Sequence, residues 1–113
     1  MSIIKPQSIH TQYGIKPLEG IKLIKLEKSS RKHSKYAITI QYKDQTRKVH
    51  YGDKRYQQFH DRTSLHLYDD LNHQDSKRRH NYLARSSKIL NSSGDLTCND
   101  PFSPNRYSII TLW

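Results

Sequence analysis

The most regular alternation in the chain runs from Lys35 to Tyr42. Tyr36, Ile38, Ile40 and Tyr42 fall on one side of an extended backbone, and Ala37, Thr39 and Gln41 on the other. A period of two predicts a strand over 35–42 with its large side chains on one face. Thr46 to Tyr51 repeats the pattern, with Val49 and Tyr51 on one face and Lys48 and His50 on the other. Lys43-Asp44-Gln45 is turn-like, so the two strands predict a hairpin with a short loop, ended by Gly52-Asp53. Residues 21–27 predict a further strand, and the basic stretch Lys28 to Lys35 a loop. Arg106 to Trp113 reads as a final strand, with Tyr107, Ile109, Thr111 and Trp113 on one face.

Helical spacing enters after residue 60. Leu65, Tyr68 and Leu71 recur at every third position and predict a short helix within 61–72. Asp75 suits the N-cap of a longer helix over about 76–90, with Leu83, Ala84 and Leu90 inward. Lys88 suits the helix dipole in the last turns, and Asn91-Ser92-Ser93-Gly94 is a stop. Residues 1–20 carry Pro6, Gly14, Pro17 and Gly20 without either period, which predicts an extended or flexible arm. The expected fold is α+β: residues 21–113 form one small domain, an antiparallel sheet of three or four strands packed on one main helix at 76–90.

Composition sharpens this picture. The chain has 113 residues, of which 33% are hydrophobic, and a mean hydropathy of -0.98. Its core must be thin, and such chains often complete their folding on a partner. Eight tyrosines compensate in part, since each ring offers a large apolar face and a polar tip. Residues 1–60 hold 13 Lys/Arg against 4 Asp/Glu, whereas residues 61–113 hold 7 against 6. The excess charge therefore sits in the first half, where it attracts nucleic acid, anionic lipid or an acidic protein surface. A single cysteine, Cys98, permits no internal disulfide and fits a reducing compartment. No apolar run approaches the ~20 residues of a membrane span, and the first residues lack the apolar core of a signal peptide.

The patterns of catalysis and metal binding are weak. His73-x-Asp75 and His80 could be imagined as ligands, but zinc needs three or four converging donors. A histidine just before a helix more often bonds to backbone. Ser64-Leu65-His66 lacks the glycines of a nucleophile elbow, Asp69-Asp70 suits a solvated face, and the four glycines are scattered. No enzyme activity, cofactor, metal or small-molecule substrate is expected.

Basic groups interleaved with aromatics remain. Lys48, His50, Tyr51, Lys54, Arg55 and Tyr56 cluster in sequence, and exposed rings beside cations could stack bases and grip phosphates. The simpler expectation is that Tyr36, Tyr42 and Tyr51 are the core of the sheet. On the predicted helix Arg78, Tyr82 and Arg85 recur at i, i+4 and i+7 and share a face, while Asp75 and Arg79 are placed to pair. The stripe either grips an acidic partner or phosphates, or locks the helix onto the chain's own loops. Candidate partner-binding residues are Lys22, Lys25, Arg31, Lys32, Arg47, Lys48, Lys54 and Arg55 in the basic half. Arg78, Tyr82, Arg85 and Trp113 join them from the second half. Trp113 is costly to leave in water and is expected to pack on the chain's own sheet or on a neighbour.

Several blocks carry a family resemblance. They are Val49-His50-Tyr51-Gly52-Asp53-Lys54-Arg55-Tyr56, His73-x-Asp75-x-x-Arg78-Arg79-x-Asn81-Tyr82-Leu83-Ala84-Arg85-Ser86, and Gly94-Asp95-Leu96-Thr97-x-Asn99-Asp100-Pro101-x-Ser103-Pro104-Asn105, followed by Leu112-Trp113. Their order and spacing over residues 35–113 resemble an uncharacterised family of small basic proteins of nucleocytoplasmic large DNA viruses. Residues 57–72 stand where that family has only a few residues, and Arg106-Tyr107 where it commonly has an aromatic pair or a tryptophan. The resemblance implies a virus-encoded, non-enzymatic protein found in the virion and in the host cytoplasm during assembly. Its implied role is a minor capsid or cementing component that binds major or minor capsid proteins. The alternative is a nucleic-acid-binding accessory for genome packaging, transcription or replication.

Overall fold

A computed structural model of the chain describes residues 5–113. Its elements are α1 (Ser8–Gln12), β1 (Lys22–Lys28), β2 (Ser34–Tyr42), β3 (Gln45–Asp53), α2 (Ser76–Ser86) and α3 (Pro104–Leu112), with short 3-10 turns at Asp69–Leu71 and Thr97–Asn99. The strands form one antiparallel sheet in the order β1-β2-β3.

The hairpin follows the alternation that predicts it. Tyr36 pairs with Tyr51 and Ile38 with Val49, and all four are buried on one face. The opposite face carries Thr39 beside Lys48 and Gln41 beside Thr46. One covered and one wetted face is the usual economy of an antiparallel sheet. On β1 the register slips between Leu23 and Lys25. A bulge and flanking lysines on an edge strand discourage pairing with another chain.

The covered face is packed by α3, where the sequence predicts a fourth strand and where 76–90 was the expected backing helix. Residues 106–112 are instead helical, with Trp113 as the C-cap, and α2 packs against α3. Ser103 accepts the N–H of Asn105 and Pro104 occupies the first turn, which is sufficient punctuation for a helix start. Tyr107, Ile109, Ile110 and Leu112 are all buried, each aliphatic side chain contributing roughly 1.5–3 kcal/mol. Arg106 is buried on the same helix and gives one N–H to the Cys98 carbonyl, 2.9 Å.

A buried helix end needs partners for its last carbonyls. Here the loop after β3 supplies them. His60 N–H donates to Leu112 O (3.1 Å), Arg62 N–H to Thr111 O (2.9 Å) and the Arg62 guanidinium to Ile110 O (3.0 Å). Arg79 Nε donates to Trp113 O at 2.6 Å.

That loop is itself anchored by polar groups. The expected helix within 61–72 is reduced to the single 3-10 turn, and Leu65 and Leu67 are exposed. Asp61, wholly buried, organises the segment. Its carboxylate accepts from the Tyr36 hydroxyl (2.5 Å), Thr63 N–H (2.9 Å), the Thr63 hydroxyl (2.6 Å) and Tyr68 N–H (3.4 Å). Residues 57–72 are therefore tied to the core through the buried Gln58, Asp61 and Thr63, while Ser64 to Leu67 are exposed. Helix α2 starts at the expected cap: Asp75 accepts from Lys77 and Arg78 N–H. It stops at Ser86, short of 90, because Ser87 to Leu90 turn away into the Leu90–Leu96 bridge.

Residues 5–20 do not form a loose arm. Helix α1 lies among them, and His10 and Ile15 are buried. His10 Nδ1 accepts the Gln7 N–H at 2.9 Å, Tyr13 bonds His80, and Lys16 N–H donates to Asn99 at 2.7 Å. Residues 1–4 of the predicted arm lie outside the described residues. Among the described residues no helix is long and apolar enough to cross a membrane.

Candidate docking cleft

One cleft of about 520 Å³ opens where the end of β3, the start of β2, α2 and the end of α3 meet. Its wall on α2 is Arg78, Asn81, Tyr82 and Arg85, which are brought together by the helical spacing of the sequence. Ser108, Leu112 and Trp113 come from the end of α3, and Gly52, Asp53, Tyr56 and Gln57 from the chain after β3.

Two rings form its aromatic wall. Tyr82 and Trp113 are stacked with centroids 3.9 Å apart and planes 6° from parallel. His73 lies beside the indole at 5.1 Å, while its Nδ1 accepts the Asp75 N–H at 2.9 Å. That histidine thus bonds to backbone, as expected of one preceding a helix. Trp113 packs on α2 and the His73 ring rather than on the sheet.

Lys35 forms the cationic base. It is only 2% exposed, and its amine donates to Tyr56 O (2.9 Å) and Gln58 Oε1 (2.5 Å). Burial pulls its pKa down to about 8, against the opposing pull of Asp53, Asp61 and Asp70. The side chain fits because glycine stands at position 52, with φ +75°. A Cβ there would meet Leu112 Cδ1 at 3.0 Å and Lys35 Cβ at 3.2 Å.

The two arginines of the wall are lightly held. Arg78 donates to Gln57 Oε1 at 3.0 Å, and the Arg85 guanidinium lies 5.7 Å from the Tyr82 ring centre. Neither forms an ion pair among the described residues. The cleft's one carboxylate, Asp53, is already gripped by Arg55 through Nε–Oδ1 (3.0 Å) and Nη2–Oδ2 (2.8 Å). That fork holds the Asp53 pKa down at about 2.

The other predicted residues are scattered. Lys22, Lys25 and Lys48 lie on the open face of the sheet, where Glu27 attracts Lys25 at 3.8 Å and Lys48 at 3.4 Å. Arg31 and Lys32 occupy the turn between β1 and β2. Arg47 covers the Phe102 ring at 4.9 Å, and Lys54 N–H donates to His33 O at 2.9 Å. Arg79 does not pair with Asp75; it lies over Phe59 at 4.2 Å and bonds the carbonyl of Trp113. Tyr36 and Tyr51 are buried, Tyr42 is half-buried, and so none of the three offers a free stacking platform.

Sequence reasoning passes over Lys35, Gln57, Asn81 and Ser108. Asn81 could have been found, because it stands at i+3 from Arg78 on the same helical face. It also passes over Asp61, His66 and Asp69, whose ligand atoms lie within 4.8 Å of one another. The Asp61 oxygens accept from Tyr36, Thr63 and Tyr68, and His66 Nδ1 lies 3.2 Å from Asp69 Oδ1.

No protein-family model, curated protein or solved structure matches the chain. The viral resemblance therefore rests on the motif residues themselves.

Proposed function

We propose that this chain works by docking rather than by catalysis, as a minor capsid or cementing component of a large DNA virus that binds neighbouring capsid proteins. The observation that supports docking is the convergence of Arg78, Arg85, Tyr82 and Trp113 on one open cleft. Arginine and large aromatics are the residue types that carry most binding energy at protein interfaces. The viral assignment draws on the ordered motif blocks of residues 35–113.

Mass spectrometry of purified particles tests the reading. The chain is expected in intact virions, with Lys54, next to the cleft, cross-linked to a capsid protein. Absence from washed particles overturns it. Salt dependence separates docking from nucleic-acid binding. A protein contact with a packed aromatic centre and two ion pairs weakens moderately as salt rises, whereas phosphate neutralisation loses affinity steeply with each phosphate contacted. Tight oligonucleotide binding with a steep salt slope would move the function to the lysines of the open sheet face.

A further inference from the structure

Arg78 and Arg85 are seven residues apart on α2, which is about 10 Å along the axis at ~1.5 Å per residue. Asn81 and Tyr82 lie between them, with Trp113 flat on the Tyr82 ring. Both guanidiniums keep unused N–H donors, and the one acidic side chain of the cleft is neutralised by Arg55. The cleft thus presents two separated positive charges over a buried third, Lys35, with an apolar patch between. Its electrostatic complement is a ligand whose two negative charges can reach arginines rooted about 10 Å apart along the helix axis, with an apolar group between them.

We infer that the cleft binds an acidic segment of a partner protein in polyproline II conformation, with carboxylates three residues apart. That conformation has three residues per turn and ~3.1 Å rise, so side chains i and i+3 point the same way about 9 Å apart. An extended strand sends them to opposite faces. The proline or aliphatic residue between the acids packs against the cleft-facing edges of the half-buried Tyr82 and Trp113 rings, which needs no free ring face. A nucleic-acid base fits less well: Trp113 already covers one face of Tyr82, and Arg85 sits near the same ring.

This inference rests on the docking reading but is tested without particles. The probe is a fluorescein-labelled eight-residue peptide, proline-rich, with two glutamates three positions apart. Fluorescence anisotropy reads its binding to the full chain. Saturable binding is expected, weakened at least ten-fold by the double change Arg78→Gln with Arg85→Gln, and weakened several-fold when the glutamates are moved to two positions apart. The double change Lys25→Gln with Lys48→Gln should leave it within two-fold. Circular dichroism and a thermal melt confirm that the variants, altered only at exposed side chains, remain folded. No saturable binding, equal affinity for both spacings, or tighter binding of a single-stranded oligonucleotide with the same arginine dependence overturns the inference. Peptide binding by a chain absent from particles sinks the capsid assignment alone. Presence in particles without peptide binding sinks only the inference.

Discussion

The protein has two cationic surfaces of opposite design. On the open sheet face Lys22 and Lys25 project from β1 and Lys48 from β3, and Glu27 sits among them. His50 shares that face, bonded to Ser29, and among the described residues Lys25 and Lys48 line no cleft with an aromatic wall. In the cleft the arginines are unpaired, the carboxylate is neutralised, and two stacked rings and a buried lysine complete the wall. Net charge alone would rank the sheet face at least equal. The two surfaces differ in arrangement rather than in quantity of charge: the exposed arginines of the cleft flank apolar surface and a buried lysine, whereas the sheet lysines stand in open water beside Glu27.

Both surfaces hang on one polar knot, so the harshest way to break the comparison is to cut it. Asp61→Ala leaves the Tyr36 hydroxyl and the Thr63 and Tyr68 N–H groups without their acceptor in the interior. A loss of about 3–5 kcal/mol is expected, because stranded buried donors keep their full desolvation cost. Urea unfolding reads it, with tyrosine fluorescence following the sheet and Trp113 the cleft. Coincident transitions are expected. A loss under about 1 kcal/mol, or a cleft that melts while the sheet survives, would show that the two surfaces do not share this support.

A gentler lever acts behind the cleft. His10 is wholly buried, its Nδ1 accepts the Gln7 N–H, and Arg62 and Arg79 stand close by. Burial first, then the Arg62 charge, lowers its pKa from 6.5 to about 4. Above pH 6.5 the ring is neutral in both folded and unfolded chain, and the full stability is present. Between pH 6.5 and 4 the unfolded chain takes up the proton and the folded one resists, so stability falls as pH drops, by about 3 kcal/mol in all. Comparing urea midpoints of the wild type and His10→Gln at pH 7 and pH 4 isolates this contribution from the carboxylates. Hydrogen exchange should show α3 amides losing protection before those of β2 and β3. Parallel pH profiles for the two proteins would remove His10 from the account.

How much of this the sequence reveals depends on what surrounds each segment. The hairpin is legible because its large apolar side chains alternate at Tyr36, Ile38 and Ile40, although Lys35 and Ala37 between them are buried as well. The start of α2 is legible because Asp75 caps it in the ordinary way, and the cleft's Arg78, Tyr82 and Arg85 because the helix is exposed on that side. Helix α3 is illegible by periodicity. It is covered nearly all round, so no polar stripe marks it, and Ile109, Ile110 and Thr111 are β-branched residues that favour strands. Only Ser103-Pro104 announces it. The loop through Asp61 is illegible for another reason: its order comes from hydrogen bonds to residues far away in the chain, and the triplet spacing of Leu65, Tyr68 and Leu71 is accidental. Lys35 belongs with it, since its burial depends on the missing side chain of Gly52 on the neighbouring strand.

The smallest expected effect is the most direct test of the contrast between the surfaces. Replacing Lys22, Lys25 and Lys48 together by glutamine removes three charges from the open sheet face. Stability should change by less than about 0.5 kcal/mol, because exposed ion pairs such as Lys48–Glu27 contribute little once side-chain entropy and screening are counted. Binding of the acidic peptide at ~0.15 M salt should stay within two-fold, since charges beyond a Debye length of about 8 Å are largely screened from the cleft. At tenth that salt the Debye length grows and the association rate alone should slow. If this triple substitution instead abolishes binding at physiological salt while Arg78→Gln with Arg85→Gln does not, the flat face is the recognition surface and the cleft is packing.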